Sequence, residues 1–281
     1  MCAACMGSDR KSYALDTNYT IAITGKGGTG KTTIAAALVA CLINRRCVPV
    51  LAVDADPNSC LDQTLGVQVV KTIGRIREES RDAGAGQSSG ISKRELVEMR
   101  INESLVEAQD FDLIAMGRPE GPGCYCYANN LFGDVIRELS KNYPYIVIDN
   151  EAGLENLSRR LYSRIDLLVL TGDPSKRGVQ TVRRLYDLAR EMGIEYDRLA
   201  VVINLVREGS EPEGLEDLAK EIGADYLLML PVDDGIALAG EKGQSMQSIP
   251  MTNPVLKGID RFISQLSFAG ETIRGEENKS A

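Results

Sequence analysis

The chain has 281 residues, a net charge of −8 and no histidine. The acidic balance argues against a general surface for nucleic acid or anionic membranes. Without imidazole, proton transfer must use carboxylates or water, and a soft metal ion must bind thiolates. We find no run of about 18 apolar residues and no apolar signal-peptide core in residues 1–19, so we expect a cytoplasmic protein.

In chain order, the hydrophobic pattern predicts short apolar strands that alternate with helices. Strands are predicted over residues 20–24, 48–53, 111–116, 145–148, 167–170, 199–203 and 226–230. Helices are predicted over residues 32–44, 92–108, 131–141, 178–192 and 254–266. Two segments rich in small or helix-breaking residues, 80–92 and 117–127, are predicted to be loops.

This alternation is typical of right-handed βαβ units around a parallel sheet. The predicted fold is therefore α/β, a single domain with a mostly parallel β-sheet flanked by helices. The run Gly-Lys-Gly-Gly-Thr-Gly-Lys-Thr at residues 25–32, between the first predicted strand and helix, places it in the P-loop NTPase class. We assign residues 20–267 to the domain, residues 1–19 to a flexible N-terminal arm and residues 268–281 to a polar C-terminal tail.

The first predicted strand leads into a phosphate-binding loop. Residues 25–32 read Gly-Lys-Gly-Gly-Thr-Gly-Lys-Thr and match G-x-x-x-x-G-K-[ST] in full. The backbone N–H groups of such a loop and the following helix N-terminus bind phosphate. We expect Lys31 to bind the β- and γ-phosphates and Thr32 to ligate Mg²⁺. The predicted nucleotide-binding residues here are Gly25, Lys26, Gly27, Gly28, Thr29, Gly30, Lys31, Thr32 and Thr33.

Acidic residues follow two of the predicted strands. Ligands of open α/β sheets bind beyond the carboxyl ends of the strands, where Asp54, Asp56 and Asp149 are expected. If the strand geometry continued, Asp54 and Asp56 would lie on one side. Asp56 is the candidate that orients or deprotonates the attacking water, and Asp54 and Asp149 are candidates for the Mg²⁺ shell. The alternatives are an acidic turn before Pro57 and a strand-capping acid at Asp149.

Lys26 gives the phosphate loop a second lysine. The segment Lys-Gly-Gly-Thr-Gly-Lys-Thr-Thr resembles the deviant Walker A group, which includes the MinD, ParA, Mrp and nitrogenase iron protein families. The resemblance implies that Lys26 reaches across a nucleotide-bound homodimer to the partner's phosphates, as an arginine finger does in trans. The same resemblance implies that the segment around Asp56 is switch I. Residues 150–153 resemble switch II of these ATPases. The predicted catalytic residues are Lys26, Lys31 and Asp56, and a solvated loop lysine is the alternative for Lys26.

Two later segments are candidates for contact with the nucleotide base. In the ATPases that this sequence resembles, an asparagine at the position of Asn204 contacts adenine, and a Pro-x-Asp run, here Pro231 to Asp233, lies nearby. Residues 204–207 read Asn-Leu-Val-Arg rather than the Asn-Lys-x-Asp of GTPases, which favours ATP over GTP. Ordinary turn residues are the alternative for both segments.

The seven cysteines are expected to be reduced thiols, and two of them form a possible metal site. Cys124 and Cys126 are separated by one residue, so together they can bind one soft metal ion. A tetrahedral site takes four ligands, which two such pairs would supply across a symmetric dimer. Two incidental thiols are the alternative. Cys2 and Cys5 form a C-x-x-C pair in the N-terminal arm, for which we favour no role over a second metal site. The remaining three are expected to be buried or half-buried: Cys41, Cys47 and Cys60.

A second resemblance concerns the sequence around this cysteine pair. Residues 117–130 (Gly-Arg-Pro-Glu-Gly-Pro-Gly-Cys-Tyr-Cys-Tyr-Ala-Asn-Asn) and 149–160 (Asp-Asn-Glu-Ala-Gly-Leu-Glu-Asn-Leu-Ser-Arg-Arg) resemble the CooC family, which includes AcsF-type proteins. Its members are maturation ATPases for nickel-containing carbon monoxide dehydrogenase and acetyl-CoA synthase. The resemblance implies an ATP- and Mg²⁺-dependent homodimer that binds Ni²⁺ or Zn²⁺ through Cys124 and Cys126 and serves a nickel enzyme. From the acidic charge balance we expect neither nucleic acid nor membrane as a partner.

Two other functions remain open at this point. An iron–sulfur reductase or scaffold, like the nitrogenase iron protein or Mrp, would take its cluster ligands from two separated loops, whereas both candidate cysteines here share one. A MinD- or ParA-type positioning ATPase would act on a membrane or DNA. Residues 270–281 offer no apolar face for a bilayer, which disfavours the MinD-like alternative.

Overall fold

The strands of the computed structural model form one sheet. The structure describes residues 18–58, 60–75, 93–118, 124–154, 157, 165–210 and 212–266. The strands are β1 (Tyr19–Gly25), β2 (Val50–Ala55), β3 (Val106–Glu107), β4 (Phe111–Ala115), β5 (Tyr145–Ala152), β6 (Leu167–Gly172), β7 (Arg198–Val206) and β8 (Tyr226–Pro231). Within these ranges the sheet has eight strands in the order β3-β4-β2-β5-β1-β6-β7-β8. All neighbours are parallel except β3 and β4 at one edge, which confirms the predicted mostly parallel sheet.

Helices cover both faces of this sheet. They are α1 (Lys31–Asn44), α2 (Leu61–Leu65), α3 (Lys93–Ser104), α4 (Cys124–Leu139), α5 (Lys176–Glu191), α6 (Leu215–Glu221), α7 (Asp234–Glu241) and α8 (Pro254–Gln265). Short 3-10 turns cover Ser140–Asn142 and Met246–Ser248. No helix in the described part of the chain has the length and apolar character that a membrane span needs.

Two apolar clusters lie on opposite faces of the sheet and fix the start of α1. Ile21 and Ile23 of β1 pack in the cluster that contains α1 and α8, whereas Ala22 packs in the other cluster. Because strand side chains alternate, a central parallel strand must be apolar on both faces. Residues 34–42 of α1 are all buried. The loop between β1 and α1 is therefore anchored at both ends by buried apolar elements.

Two predicted strands have different bounds in the structure. The second strand begins at Val50 rather than residue 48 because Pro49 has no N–H to donate to a neighbouring strand. The strand that contains Asp149 continues to Ala152, since β1 and β2 still pair with it beyond that position. Asp149 therefore lies inside a strand instead of at its end.

Several predicted helix and loop bounds also differ. The prediction of a loop over 117–127 is wrong for its last four residues, because α4 begins at Cys124. The glycines and prolines of that segment all precede Cys124, so nothing in Cys-Tyr-Cys-Tyr opposes a helix. The predicted helix over 92–108 ends at Ser104, after which β3 pairs with β4. Residues 80–92 and the C-terminal tail lie outside the described residues, as does the N-terminal arm up to residue 17.

Candidate nucleotide and magnesium site

The loop between β1 and α1 has a backbone that requires glycine at two positions. Gly28 and Gly30 both have φ of 82°, in the left-handed region that side chains disfavour. At Gly30 there is also no space, because a Cβ would lie 2.3 Å from Nδ2 of Asn204. These two conformations turn the chain back towards the N-terminus of α1, as a phosphate cradle requires.

Polar contacts tie this loop to the two strands on one side of β1. Thr29 donates its hydroxyl to the carbonyl oxygen of Lys26 at 2.9 Å. The Thr171 hydroxyl lies 2.8 Å from Thr29 Oγ1 and must therefore donate to it. Asn204 Nδ2 donates to the carbonyl oxygen of Thr29 at 3.1 Å. The loop is held in place by β6 and β7 as well as by its own conformation.

The two lysines of the loop differ in their surroundings. Lys31 is buried, and its Nζ donates to the carbonyl oxygen of Lys26 at 3.4 Å. The Lys31 ammonium thus lies over its own loop, where a bound phosphate would be. Lys26 is exposed to solvent. This difference is compatible with one lysine acting within the subunit and the other acting outside it.

Three side chains meet at the start of α1 and on the adjacent strands. Thr32 Oγ1 donates to Asp149 Oδ2 at 2.6 Å. Asp149 of β5 is the register partner of Asp54 of β2, and both side chains are buried. Among the described residues, Asp149 Oδ1 is a buried oxygen without a hydrogen-bond partner. Two buried carboxylates with one oxygen unsatisfied are a donor set that suits a hard cation such as Mg²⁺.

Burial also shifts the pKa values of these two carboxyl groups. Burial, and then the charge of Asp149, raise the pKa of Asp54 to about 7. Burial raises the pKa of Asp149 to about 6, although the Thr32 hydrogen bond and the Lys31 ammonium oppose the rise. Both carboxyl groups therefore keep their protons to a higher pH than an exposed aspartate does, and at neutral pH Asp54 is only partly ionised.

This pair should make the nucleotide-free protein less stable as pH rises from about 4 to about 7. The folded carboxyls of Asp54 and Asp149 release protons near pH 7 and 6, whereas unfolded carboxyls do so near 3.8. In this window the folded state binds more protons, so raising the pH favours unfolding. Urea titrations at pH 5 and pH 8 measure the difference. Mg²⁺ with nucleotide should reverse it, and a nucleotide-free protein equally stable at both pH values would contradict the expectation.

Asp56 lies beside this pair but not on a continued strand. β2 ends at Ala55, and the chain turns because Asp54 accepts the Asp56 N–H at 3.1 Å and the Leu61 N–H at 3.0 Å. Asp56 in turn accepts the Asn58 N–H at 2.8 Å. The strand geometry therefore does not continue to Asp56, so strand alternation does not place Asp54 and Asp56 on one side. The charge of Asp56 nevertheless contributes to the raised pKa values of Asp54 and Asp149, so its carboxylate is close to both.

The predicted base-contact residues lie at the ends of β7 and β8. Asn204 is buried and bonded to the phosphate loop, and Leu205 after it has φ of 61°. Pro231 ends β8, and Asp233 accepts the Ile236 N–H at 2.9 Å, which caps α7. The structure thus brings Asn204 to the loop and places Pro231 and Asp233 at the end of the neighbouring strand. Their contact with a base stays a prediction.

Sequence reasoning missed a cleft that adjoins the phosphate loop. It has a volume of about 150 Å³ and lies between α2, α7 and the start of α1. Every residue that lines it is uncharged, including Thr33, Gln63, Ile236 and Gln244. The cleft adjoins the predicted nucleotide-binding residue Thr33, and the predicted base-contact residues Asn204, Pro231 and Asp233 do not line it. No local pattern reveals it, because its walls come from three separate segments.

The cysteines fall into two groups in the structure. Cys41 is buried and Cys47 half-buried, as expected, but Cys60 is exposed because it lies just before α2 at the surface. Among the described side chains, no cluster of three or more potential metal ligands occurs. Cys124 and Cys126 lie in the first turn of α4, and their side chains lie outside the described ones.

The fold and this site together define a P-loop nucleotide-binding protein. The chain belongs to the CobQ/CobB/MinD/ParA nucleotide-binding domain family, which matches residues 20–246. It is an ATPase of this family, and ATP is the nucleotide that its relatives' names indicate.

Two relatives and one solved structure illustrate the range of similarity. An uncharacterised ATP-binding protein of Methanocaldococcus jannaschii is 40% identical over 248 residues, 88% of this chain and 97% of that protein. The carbon monoxide dehydrogenase accessory protein CooC of Rhodospirillum rubrum is 30% identical over 241 residues, 80% of this chain and 88% of that protein. The crystal structure of a ParA family ATPase from Chlorobium tepidum, 21% identical, has a TM-score of 0.67 over 88% of this chain and 97% of its own.

Proposed function

We propose that this ATPase is a maturation factor that carries Ni²⁺ as cargo for a carbon monoxide dehydrogenase or acetyl-CoA synthase. The observation that carries the proposal is the 30% identity with the accessory protein CooC over most of both chains. The Cys124 and Cys126 pair supports it, because thiolates are the soft ligands available to a chain without histidine.

A direct backbone connection supports communication between the nucleotide site and the cysteine pair. The N–H of Met116, just after β4, donates to the carbonyl oxygen of Asp54 at 2.8 Å. Cys124 begins the next helix along the chain. A change at switch I on nucleotide binding would therefore act on the segment that leads to the thiols. We propose that ATP binding repositions the cysteine pair by this route.

The site residues have distinct roles in the proposed ATP cycle. Thr32, Asp54 and Asp149 would hold Mg²⁺, which when bound neutralises charge on the phosphate oxygens. Lys31 binds the phosphates of its own subunit, and Asp56 orients the attacking water. Lys26 contacts the phosphates of a second copy and so couples hydrolysis to a homodimer.

The dimer and the cargo are linked in this proposal. Each subunit supplies one cysteine pair, and two pairs complete a tetrahedral site for Ni²⁺ or Zn²⁺. Four thiolates repel one another without a metal ion, so metal and dimer stabilise each other by the same factor.

A double substitution of the cysteine pair tests the cargo site. We expect wild type with ATP to bind about one nickel ion per two chains, and Cys124→Ser/Cys126→Ser to bind none while still binding nucleotide. Metal analysis of fractions from sizing chromatography, with and without nucleotide, measures both properties. Cys47→Ser is the matched control, because Cys47 follows the C-terminus of α1, at the opposite end of that helix from the phosphate loop, and it should bind nickel like wild type. A wild type that stays monomeric and metal-free with ATP and nickel would refute the proposal.

A positioning ATPase is the second candidate, favoured by the structural similarity to the ParA family ATPase. Co-sedimentation with liposomes and with DNA in the presence of ATP distinguishes the two functions. ATP-dependent binding to either would support the positioning role and contradict the maturation role. A brown anaerobic preparation with absorption near about 400 nm would instead indicate an iron–sulfur protein.

A further inference from the structure

The backbone segments that carry Lys26 and Asp173 are neighbours where the phosphate loop meets the end of β6. Gly25 of β1 is the register partner of Thr171 of β6. Lys26 follows Gly25 directly, and Asp173 comes two residues after Thr171. The Thr29 hydroxyl contacts both the Lys26 carbonyl oxygen, at 2.9 Å, and the Thr171 hydroxyl, at 2.8 Å. These contacts hold the Lys26 backbone next to the segment that carries Asp173.

The Asp173 carboxylate is fixed and negatively charged. Its Oδ1 accepts the Ser175 N–H at 2.9 Å, which forms a tight turn before α5. The Ser175 side chain, and after it the Lys26 ammonium, hold the pKa of Asp173 below its usual value. Lys26 by contrast has a long, exposed side chain. A fixed carboxylate therefore lies within electrostatic reach of a lysine that has several directions open to it.

We infer that Asp173 is a positioning residue that restrains Lys26 within its own subunit. The inference rests on the proposed role of Lys26 across a homodimer. In a single subunit, the Asp173 carboxylate attracts the Lys26 ammonium and keeps it beside its own loop. In the dimer, the triphosphate of the second copy competes for the same ammonium with a larger negative charge. Asp173 thereby disfavours association of copies that carry no triphosphate.

The expected size of the restraint suits such a role. The attraction between exposed opposite charges is weak, so the triphosphate of a second copy can overcome the attraction of Asp173 for Lys26. Two identical restraints are released when a symmetric dimer forms, so their effects on the association constant multiply.

Asp173→Asn tests the restraint because asparagine keeps an Oδ1 acceptor for the Ser175 N–H and removes only the charge. With a non-hydrolysable ATP analogue, we expect this variant to dimerise at a protein concentration about three- to tenfold lower than wild type. Nucleotide affinity of the monomer should not change. Analytical ultracentrifugation measures the dimer, and Asp187→Asn, the same change at an exposed carboxylate of α5, should behave as wild type.

The same substitution in a Lys26→Gln background separates a positioning role from a structural one. If Asp173 acts through Lys26, Asp173→Asn should give no gain in dimerisation there. An unchanged or weaker dimer in the single Asp173→Asn variant, or an equal gain in both backgrounds, would overturn the inference. If wild type itself stays monomeric with the analogue, the homodimer of the proposed function fails and the inference fails with it. A wild-type dimer that Lys26→Gln abolishes and Asp173→Asn does not strengthen overturns the inference alone.

Discussion

Lys26→Gln should keep nucleotide affinity within about twofold of wild type and lose about 10³-fold in ATP turnover. The reason is the different placement of the two loop lysines. Lys31 is buried over its own loop, whereas Lys26 is exposed at the surface, where a second copy could reach it. Loss of the exposed lysine should remove a contact that forms only in the dimer. Turnover at saturating ATP, together with binding of a fluorescent nucleotide, measures the two effects separately.

Lys31→Gln is the matched control for this experiment. It also replaces a lysine of the loop by glutamine, but this lysine is the one whose ammonium lies over its own loop. We expect it to weaken nucleotide binding itself by about tenfold or more, since a buried cation no longer faces the phosphates. Equal losses of binding in both variants, or unchanged turnover in Lys26→Gln, would contradict the division of roles between the two lysines.

Asp149→Asn should stabilise the nucleotide-free protein and inactivate it. Burial raises the pKa of Asp149 to about 6, so ionising this group at pH 8 costs the folded state about 1–3 kcal/mol. Asparagine removes the charge and still offers an oxygen to the Thr32 hydroxyl. Without the carboxylate, Mg²⁺-dependent turnover should fall by at least about 10²-fold. Urea unfolding at pH 8 and ATPase assays over a range of Mg²⁺ concentrations measure both effects.

Asp112→Asn is the contrasting control. Asp112 is also buried, but its oxygens accept the Ala108 N–H, at 3.2 Å, and the Tyr143 hydroxyl. The same substitution there exchanges an acceptor for a donor and should destabilise the protein by about 1–3 kcal/mol. If Asp149→Asn destabilised the nucleotide-free protein as much as Asp112→Asn does, the argument for a cation at Asp149 would be wrong.

The sequence was sufficient for the features that depend on contiguous residues. The phosphate loop is one continuous motif, and the apolar runs predict the parallel sheet around it. The proximity of Thr32 and Asp149 could also be anticipated, although 117 residues separate them, because both were expected at the carboxyl edge of the sheet.

Features that depend on tertiary packing could not be predicted in this way. Asp54 turns the chain by accepting two backbone N–H groups, which no periodicity indicates. The start of α4 at Cys124 was missed because the glycines and prolines just before it dominated the local composition. The uncharged cleft depends on where the fold places α2 and α7, and both helices are too short to give a clear periodic signal.

The bonds from Thr171 and Asn204 to Thr29 have a consequence for the speed and strength of nucleotide capture. Both bonds join protein groups only, so the fold itself holds the loop in this conformation. Much of the ordering entropy of the loop is therefore already lost during folding, and binding incurs little further loss. A loop prepared in this manner favours rapid and tight association with nucleotide.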